Sequence, residues 1–117
     1  MKDFRSLKVW EKSHSISLDI YRLTKGFPKD EQFNLTSQLR RAITFMPTNL
    51  AEGCGRGSDK DFKRFVQIAM GSASEAEYLI LLSKDLNYIS DKEFNKLIVE
   101  IQEIKKMLSS LISKLKT

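Results

Sequence analysis

One cysteine, Cys54, and one histidine, His14, are all that the 117 residues offer in soft ligands. A single thiol excludes an internal disulfide framework, and with one imidazole beside it the chain cannot supply the Cys/His set of a structural zinc site. A carboxylate-bridged metal pair in a bundle core wants Glu-x-x-His motifs, and the single histidine is not read as closing one. No cofactor or metal is expected. The chain has two prolines and five glycines, a helical composition. No stretch approaches the roughly eighteen uninterrupted apolar residues of a membrane span, and the segment from Met1 to Lys12 mixes acids with bases instead of carrying an apolar signal core. A soluble, unprocessed protein of the reducing cytoplasm is expected, without a membrane partner. Twenty basic against fifteen acidic residues give a formal charge of +5, which leans toward polyanionic partners.

What is present is amphipathic periodicity in four segments with short breaks, enough for one domain, 1–117. The first runs from about Leu7 to Lys25, with Val9, Ile16, Ile20 and Leu23 near one face, and Gly26-Phe27-Pro28 stops it. Either Asp30 or Asn34 caps the second, whose apolar positions Leu35, Leu39, Ala42, Ile43, Met46 and Leu50 step by three and four to Gly53. Pro47 lies inside it. It removes an amide donor and crowds the carbonyl of Ile43, so a kink is expected, with Thr44 or Thr48 helping to satisfy freed backbone groups. Gly53-Cys54-Gly55-Arg56-Gly57 ends this helix, and Ser58-Asp59-Lys60-Asp61 reads as a capping box opening the third, which runs to about Asn87. The third helix carries a core stripe, Phe62 to Ile80, and a second stripe of Ile68, Leu79, Leu82 and Leu86, which suggests burial against another subunit. Ser90-Asp91-Lys92-Glu93 caps the fourth, where Phe94, Leu97, Ile101, Ile104, Leu108, Leu111 and Leu115 keep a heptad seam. The fold class is all-α: an up-and-down antiparallel four-helix bundle.

Polar residues recur at helical positions between Gln38 and Glu75. Arg41, Phe45, Thr48, Glu52 and Arg56 share one stripe of the second helix, and Ser72, Glu75 and Leu79 share one on the third. These form either a patch that recognises a ligand or partner subunit, or a structural network of ion pairs, Arg41 to Glu75 and Arg56 to Glu52. The structural version is favoured, because carboxylates beside apolar helix faces need partners. Asn49 joins Arg41, Glu52, Ser72 and Glu75 in that network, its amide bridging backbone groups near Pro47. Glu52 and Glu75 have no Ser-His-Asp or Cys-His set beside them, so no catalytic residue is assigned and no enzyme is expected. The Gly53-x-Gly55-x-Gly57 run follows a helix and lacks a Lys-Ser or dinucleotide fingerprint, so it is a helix stop and not a phosphate loop.

Arg56, Lys60, Lys63 and Arg64, with Arg40 and Arg41, make the densest basic cluster in mid-chain; Arg40, Arg56, Lys60, Lys63 and Arg64 are the candidates for contact with nucleic-acid phosphates. Phe62 and Phe65 interleave with them but fall on the core stripe, so base stacking is the weaker reading. Lys105, Lys106, Lys114 and Lys116 on the last helix read as a solvated face. Gly71, within the small-residue run Ala69 to Ser74, implies close approach of another helix, from the same chain and from a neighbouring one.

The chain resembles the four-helix bundle proteins encoded in intervening sequences of bacterial 23S rRNA genes. The resemblance rests on Leu7-Val9-Trp10, Phe27-Pro28-Glu31, Gln38-Arg41-Ala42, Pro47-Asn49-Ala51-Glu52-Gly53, Gly71-Ser72-Glu75 and Asp85-Leu86-Tyr88, spread over nearly the whole chain. More distantly it is similar to the accessory protein of diversity-generating retroelements, a barrel of five bundle subunits that binds nucleic acid and a reverse transcriptase. The resemblance implies a cyclic homo-oligomer, a pentamer, that repeats the basic cluster around a ring. The expected function is a non-catalytic nucleic-acid-binding accessory protein that contacts RNA or DNA backbone. The alternative is a protein-interaction scaffold that docks a partner such as a reverse transcriptase.

Overall fold

The heptad seam of the C-terminal segment organises the molecule. In the computed structural model, which describes residues 3–115, four helices are formed: α1 (Lys8–Thr24), α2 (Leu35–Gly55), α3 (Asp59–Asp85) and α4 (Asp91–Lys114). Single 3-10 turns at Phe4–Ser6 and Lys29–Glu31 precede α1 and α2. Each helix packs on its neighbour in sequence and α4 closes on α1, while the diagonal pairs stay apart across the core. That is up-down-up-down topology, in a body of 43 × 24 × 20 Å. The α2–α3 pairing is the most extensive and the α1–α4 seam the thinnest.

Along α4, Leu97, Ile101, Ile104 and Leu108 are buried and Phe94 and Leu111 half-buried. They meet Ile16 and Ile20 of α1, Leu39, Ile43, Met46 and Leu50 of α2, and Val66, Ala69, Ala73, Ala76 and Ile80 of α3 in one continuous core. Each large aliphatic side chain buried this way contributes about 1.5–3 kcal/mol. Ser90 and Glu93 form the reciprocal capping box at the start of α4, with bonds of 3.0 and 2.8 Å. Ser58 caps α3 by accepting from the Asp61 amide at 3.1 Å, without a reciprocal bond from Asp61.

Three expectations change at α2 and α3. Asn34 stands at the N-cap position of α2 but makes no side-chain cap bond. The Glu31 carboxylate does this instead: its Oε1 accepts from the Leu35 amide at 3.4 Å and from Asn34 Nδ2 at 3.0 Å. Around Pro47, α2 remains one helix, as expected, but the freed Ile43 carbonyl is approached by neither Thr44 nor Thr48: it lies 3.3 Å from Ser17 Oγ of α1, a hydroxyl whose shorter bond, 2.8 Å, goes to the Ser13 carbonyl. Thr44 donates back to the Arg40 carbonyl at 2.8 Å. On α3 the second stripe is only partly outward: Leu79 is buried and Leu82 half-buried, which leaves Ile68 and Leu86 exposed. Among the described residues, no helix is long and apolar enough to cross a membrane.

Candidate nucleic-acid interface

α2 and α3 are joined by the turn Arg56-Gly57-Ser58, in which Gly57 takes φ +85°, a conformation that a side chain would strain. The two helices approach closely just before it. A Cβ on Gly53 would lie 2.8 Å from Phe65 Cβ and 3.1 Å from Phe62 Cδ1, so only glycine permits this contact. The tight junction brings Arg56 at the end of α2 alongside the first turns of α3. Phe65 is buried beneath two guanidiniums, Arg56 at 5.0 Å and Arg64 at 4.5 Å from the ring centroid. Such cation–π contacts hold an arginine in place while leaving its N–H groups available to an anion. Lys60 is exposed and Lys63 half-exposed on the same end of α3.

Four of the five predicted phosphate contacts, Arg56, Lys60, Lys63 and Arg64, therefore gather at one end of the bundle. The acids beside them are Glu52, whose Oε2 is 4.0 Å from Arg56, and Asp59 and Asp61 in the first turn of α3. Arg40 does not belong to the group. It lies near the opposite end of α2, sixteen residues or about 24 Å from Arg56. There its Nε donates to Thr24 Oγ1 at 2.8 Å and an Nη to the Tyr21 carbonyl at 3.3 Å, with the guanidinium over the Tyr21 ring at 4.5 Å. Arg40 thus ties α2 to the C-terminal turn of α1, where a cation also complements the helix dipole. Adjacent residues on a helix point about 100° apart, which is why Arg40 faces α1 and Arg41 faces solvent.

The proposed polar network divides as well. Asn49 Nδ2 donates to the Phe45 carbonyl at 2.7 Å, one turn back and beside Pro47. Glu52 and Arg56 make their contact within α2. Arg41 and Glu75 do not pair with each other in the chain: both are exposed, and the Arg41 guanidinium lies over Phe45 at 5.2 Å. Ser72 is buried. Gly71 is exposed, and a Cβ there would meet nothing within 4 Å, so its destabilisation of about 1 kcal/mol relative to alanine finds no compensation inside the chain. The expected intrachain approach at Gly71 is absent; Ala69 and Ala73, on the opposite face, make it instead. Of the lysines on α4, Lys105 is half-buried and bonds Glu77 Oε1 at 2.8 Å, so it is not a solvated side chain; Lys116 lies outside the described residues.

Two features were not legible in the sequence. A groove of about 480 Å³ runs between α1 and α2, lined by Trp10, Leu18, Tyr21, Thr44, Pro47 and Ala51. Near its end Phe33 is 90% exposed. Glu11 and His14 do stand at Glu-x-x-His spacing on α1, but both are exposed and His14 stacks flat on Trp10 at 5.0 Å. Among the described residues, no three His, Cys, Asp or Glu side chains are grouped to hold a metal ion.

No curated protein sequence matches the chain. A solved structure from Bacteroides thetaiotaomicron VPI-5482, described as a protein with unknown function from the S23 ribosomal protein family, is similar at 28% identity and a TM-score of 0.83. The match covers 90% of this chain and 95% of that one. The family model described as 23S rRNA-intervening sequence protein matches residues 5–110, which span all four helices. The chain belongs to the 23S rRNA-intervening sequence protein family.

Proposed function

We propose that the protein is a non-catalytic nucleic-acid-binding accessory protein of the cytoplasm that acts as a homo-oligomeric ring, a pentamer. The observation that carries this reading is the gathering of Arg56, Lys60, Lys63 and Arg64 at the α2–α3 turn, two of them braced on Phe65. Phosphates are the natural ligand of such a group: guanidinium forks and ammonium groups on a rigid helical end match a polyanion without reading bases. Phe62 and Phe65 are buried, which leaves no aromatic face in the cluster for a base to stack on. Repetition of the cluster around a ring raises avidity without any new contact.

The test is a fluorescence-anisotropy titration of nuclease-treated protein against a structured RNA hairpin and a DNA duplex, at low and moderate salt. Binding that weakens steeply with salt supports the reading, and binding indifferent to salt contradicts it.

A second reading, a scaffold that docks a protein such as a polymerase, is favoured by one observation. The apolar groove of Trp10, Leu18 and Tyr21 and the exposed Phe33 present surface that a purely phosphate-binding protein does not need. Substitution of Phe33 and Leu18 by Ser distinguishes the two: it leaves nucleic-acid affinity unchanged and abolishes partner binding if the groove is the docking site.

A further inference from the structure

The outward faces of α2 and α3 carry two rows of exposed side chains. On α2 the row includes Arg41, Phe45, Thr48 and Glu52; on α3 it includes Arg64, Ile68, Gly71 and Glu75. Both rows advance by alternating steps of three and four, the spacing of a coiled-coil seam, yet no other helix among the described residues covers them.

Their relative heights follow from the contact of Gly53 with Phe62 and Phe65, which fixes how the antiparallel helices stand against each other. Counting from that contact at about 1.5 Å per residue, Arg41 is level with Glu75, Phe45 with Gly71, and Glu52 with Arg64, each to within about one residue.

Any second copy related by rotation about an axis parallel to the bundle keeps these heights. α2 of one copy then meets α3 of the next with Arg41 opposite Glu75, Glu52 opposite Arg64, and the 39%-exposed Phe45 ring opposite Gly71, where there is open space for it. Docking with the direction reversed would put Arg41 against Arg64 and Glu52 against Glu75. The charges therefore select one orientation and reject the other.

We propose that this face is the contact through which copies of the chain assemble, α2 of each against α3 of the next, around an axis parallel to the helices. The inference rests on the assembly in the proposed function and gives it a surface, a register and a direction. Gly71 acquires a role in it, as the hole for the Phe45 knob of a neighbour. Arg64 stands where the contact meets the basic cluster, which leaves Arg56, Lys60 and Lys63 facing solvent.

The experiment is sedimentation velocity on the full chain and on four variants: Arg41→Glu, Glu75→Arg, the two together, and Gly71→Leu. The wild type is expected at a multiple of 13.5 kDa. Each single charge reversal places like charges together and weakens assembly at least about tenfold, and the double reversal regains it. Gly71→Leu, whose Cβ points into open space on the exposed face of α3, yields a folded monomer with unchanged circular dichroism. A monomeric wild type, single reversals that leave the mass unchanged, or a double variant that fails to reassemble would each overturn the interface. Nucleic-acid binding is measured on the same samples. A monomer that still binds DNA in a salt-dependent way sinks the interface and spares the phosphate reading; a correct assembly that binds nothing at low salt does the reverse.

Discussion

The Tyr88 hydroxyl donates a 2.8 Å hydrogen bond to Glu31 Oε2, across 57 residues of chain. The other oxygen of the same carboxylate caps α2 through Leu35, and the Tyr88 ring packs on Phe27 at 5.4 Å. One side chain thus joins the α1–α2 turn, the start of α2 and the loop before α4. The bond holds the Glu31 carboxyl below its ordinary value of 4.5. Stability from a lowered carboxyl is fully present above its unfolded value and is lost as pH falls through the folded value. Tyr88→Phe is therefore expected to lower the melting temperature by a few degrees at pH 7, with the difference from wild type closing at acid pH below about 4.5, the ordinary value. Thermal melts across pH check this.

Glu100 shows the opposite sign. It sits on the thin α1–α4 seam with Oε1 buried and without a hydrogen-bond partner. Burial, above all, pushes its carboxyl above the ordinary 4.5, opposed by Lys96 and Lys12 and assisted by Asp19 and Glu103. The nearby cations are engaged elsewhere, Lys12 with Glu103 at 2.6 Å and Lys96 with Asp19 at 3.9 Å. Between the unfolded and the raised folded value the native state binds the proton more readily, so stability declines as pH rises through that window. Glu100→Met should raise the melting temperature at pH 7, and the gain should shrink as pH falls through the raised value. A variant no more stable than wild type at pH 7 contradicts this.

Gly53→Ala inserts a methyl group 2.8 Å from Phe65 Cβ. Despite the better helix propensity of alanine, overpacking of this order destabilises by about 1–3 kcal/mol. Urea denaturation should give a lower midpoint, and an unchanged or higher midpoint would mean that α2 and α3 do not approach as closely as described.

Ser17→Ala removes a hydroxyl shared between the Ser13 carbonyl at 2.8 Å and the carbonyl freed by Pro47 at 3.3 Å. A destabilisation of about 1 kcal/mol is expected. It should shrink, without vanishing, in the background of Pro47→Ala, where Ile43 regains an amide donor and only the Ser13 bond is lost; a double-mutant cycle measures that coupling, and strict additivity would contradict it.

Legibility from sequence followed range. The Ser90–Glu93 box and the seam from Leu97 to Leu108 could be read because their periodicity and partners are local to α4. Ser17 to Ile43 and Glu31 to Tyr88 could not, since they join residues 26 and 57 apart whose proximity exists only once the helices are packed. The basic cluster was half legible. Arg56, Lys60, Lys63 and Arg64 flank one turn and converge, whereas Arg40 turns toward the α1 terminus and finds Thr24 and Tyr21. Arg41 and Glu75 stand level, as their stripes implied, yet both point outward.

The most direct measurement is the slope of log affinity against log salt for a DNA duplex, in the wild type, in the combined Arg56, Lys60 and Lys63 to Ala variant, which leaves the Arg64 contact between copies intact, and in Arg40→Ala. The slope of the combined variant should be shallower by about 0.9 for each phosphate it no longer neutralises. Arg40→Ala should leave the slope unchanged, because that side chain serves α1. Equal slopes for the wild type and the combined variant would mean that the cluster at the α2–α3 turn does not neutralise phosphates.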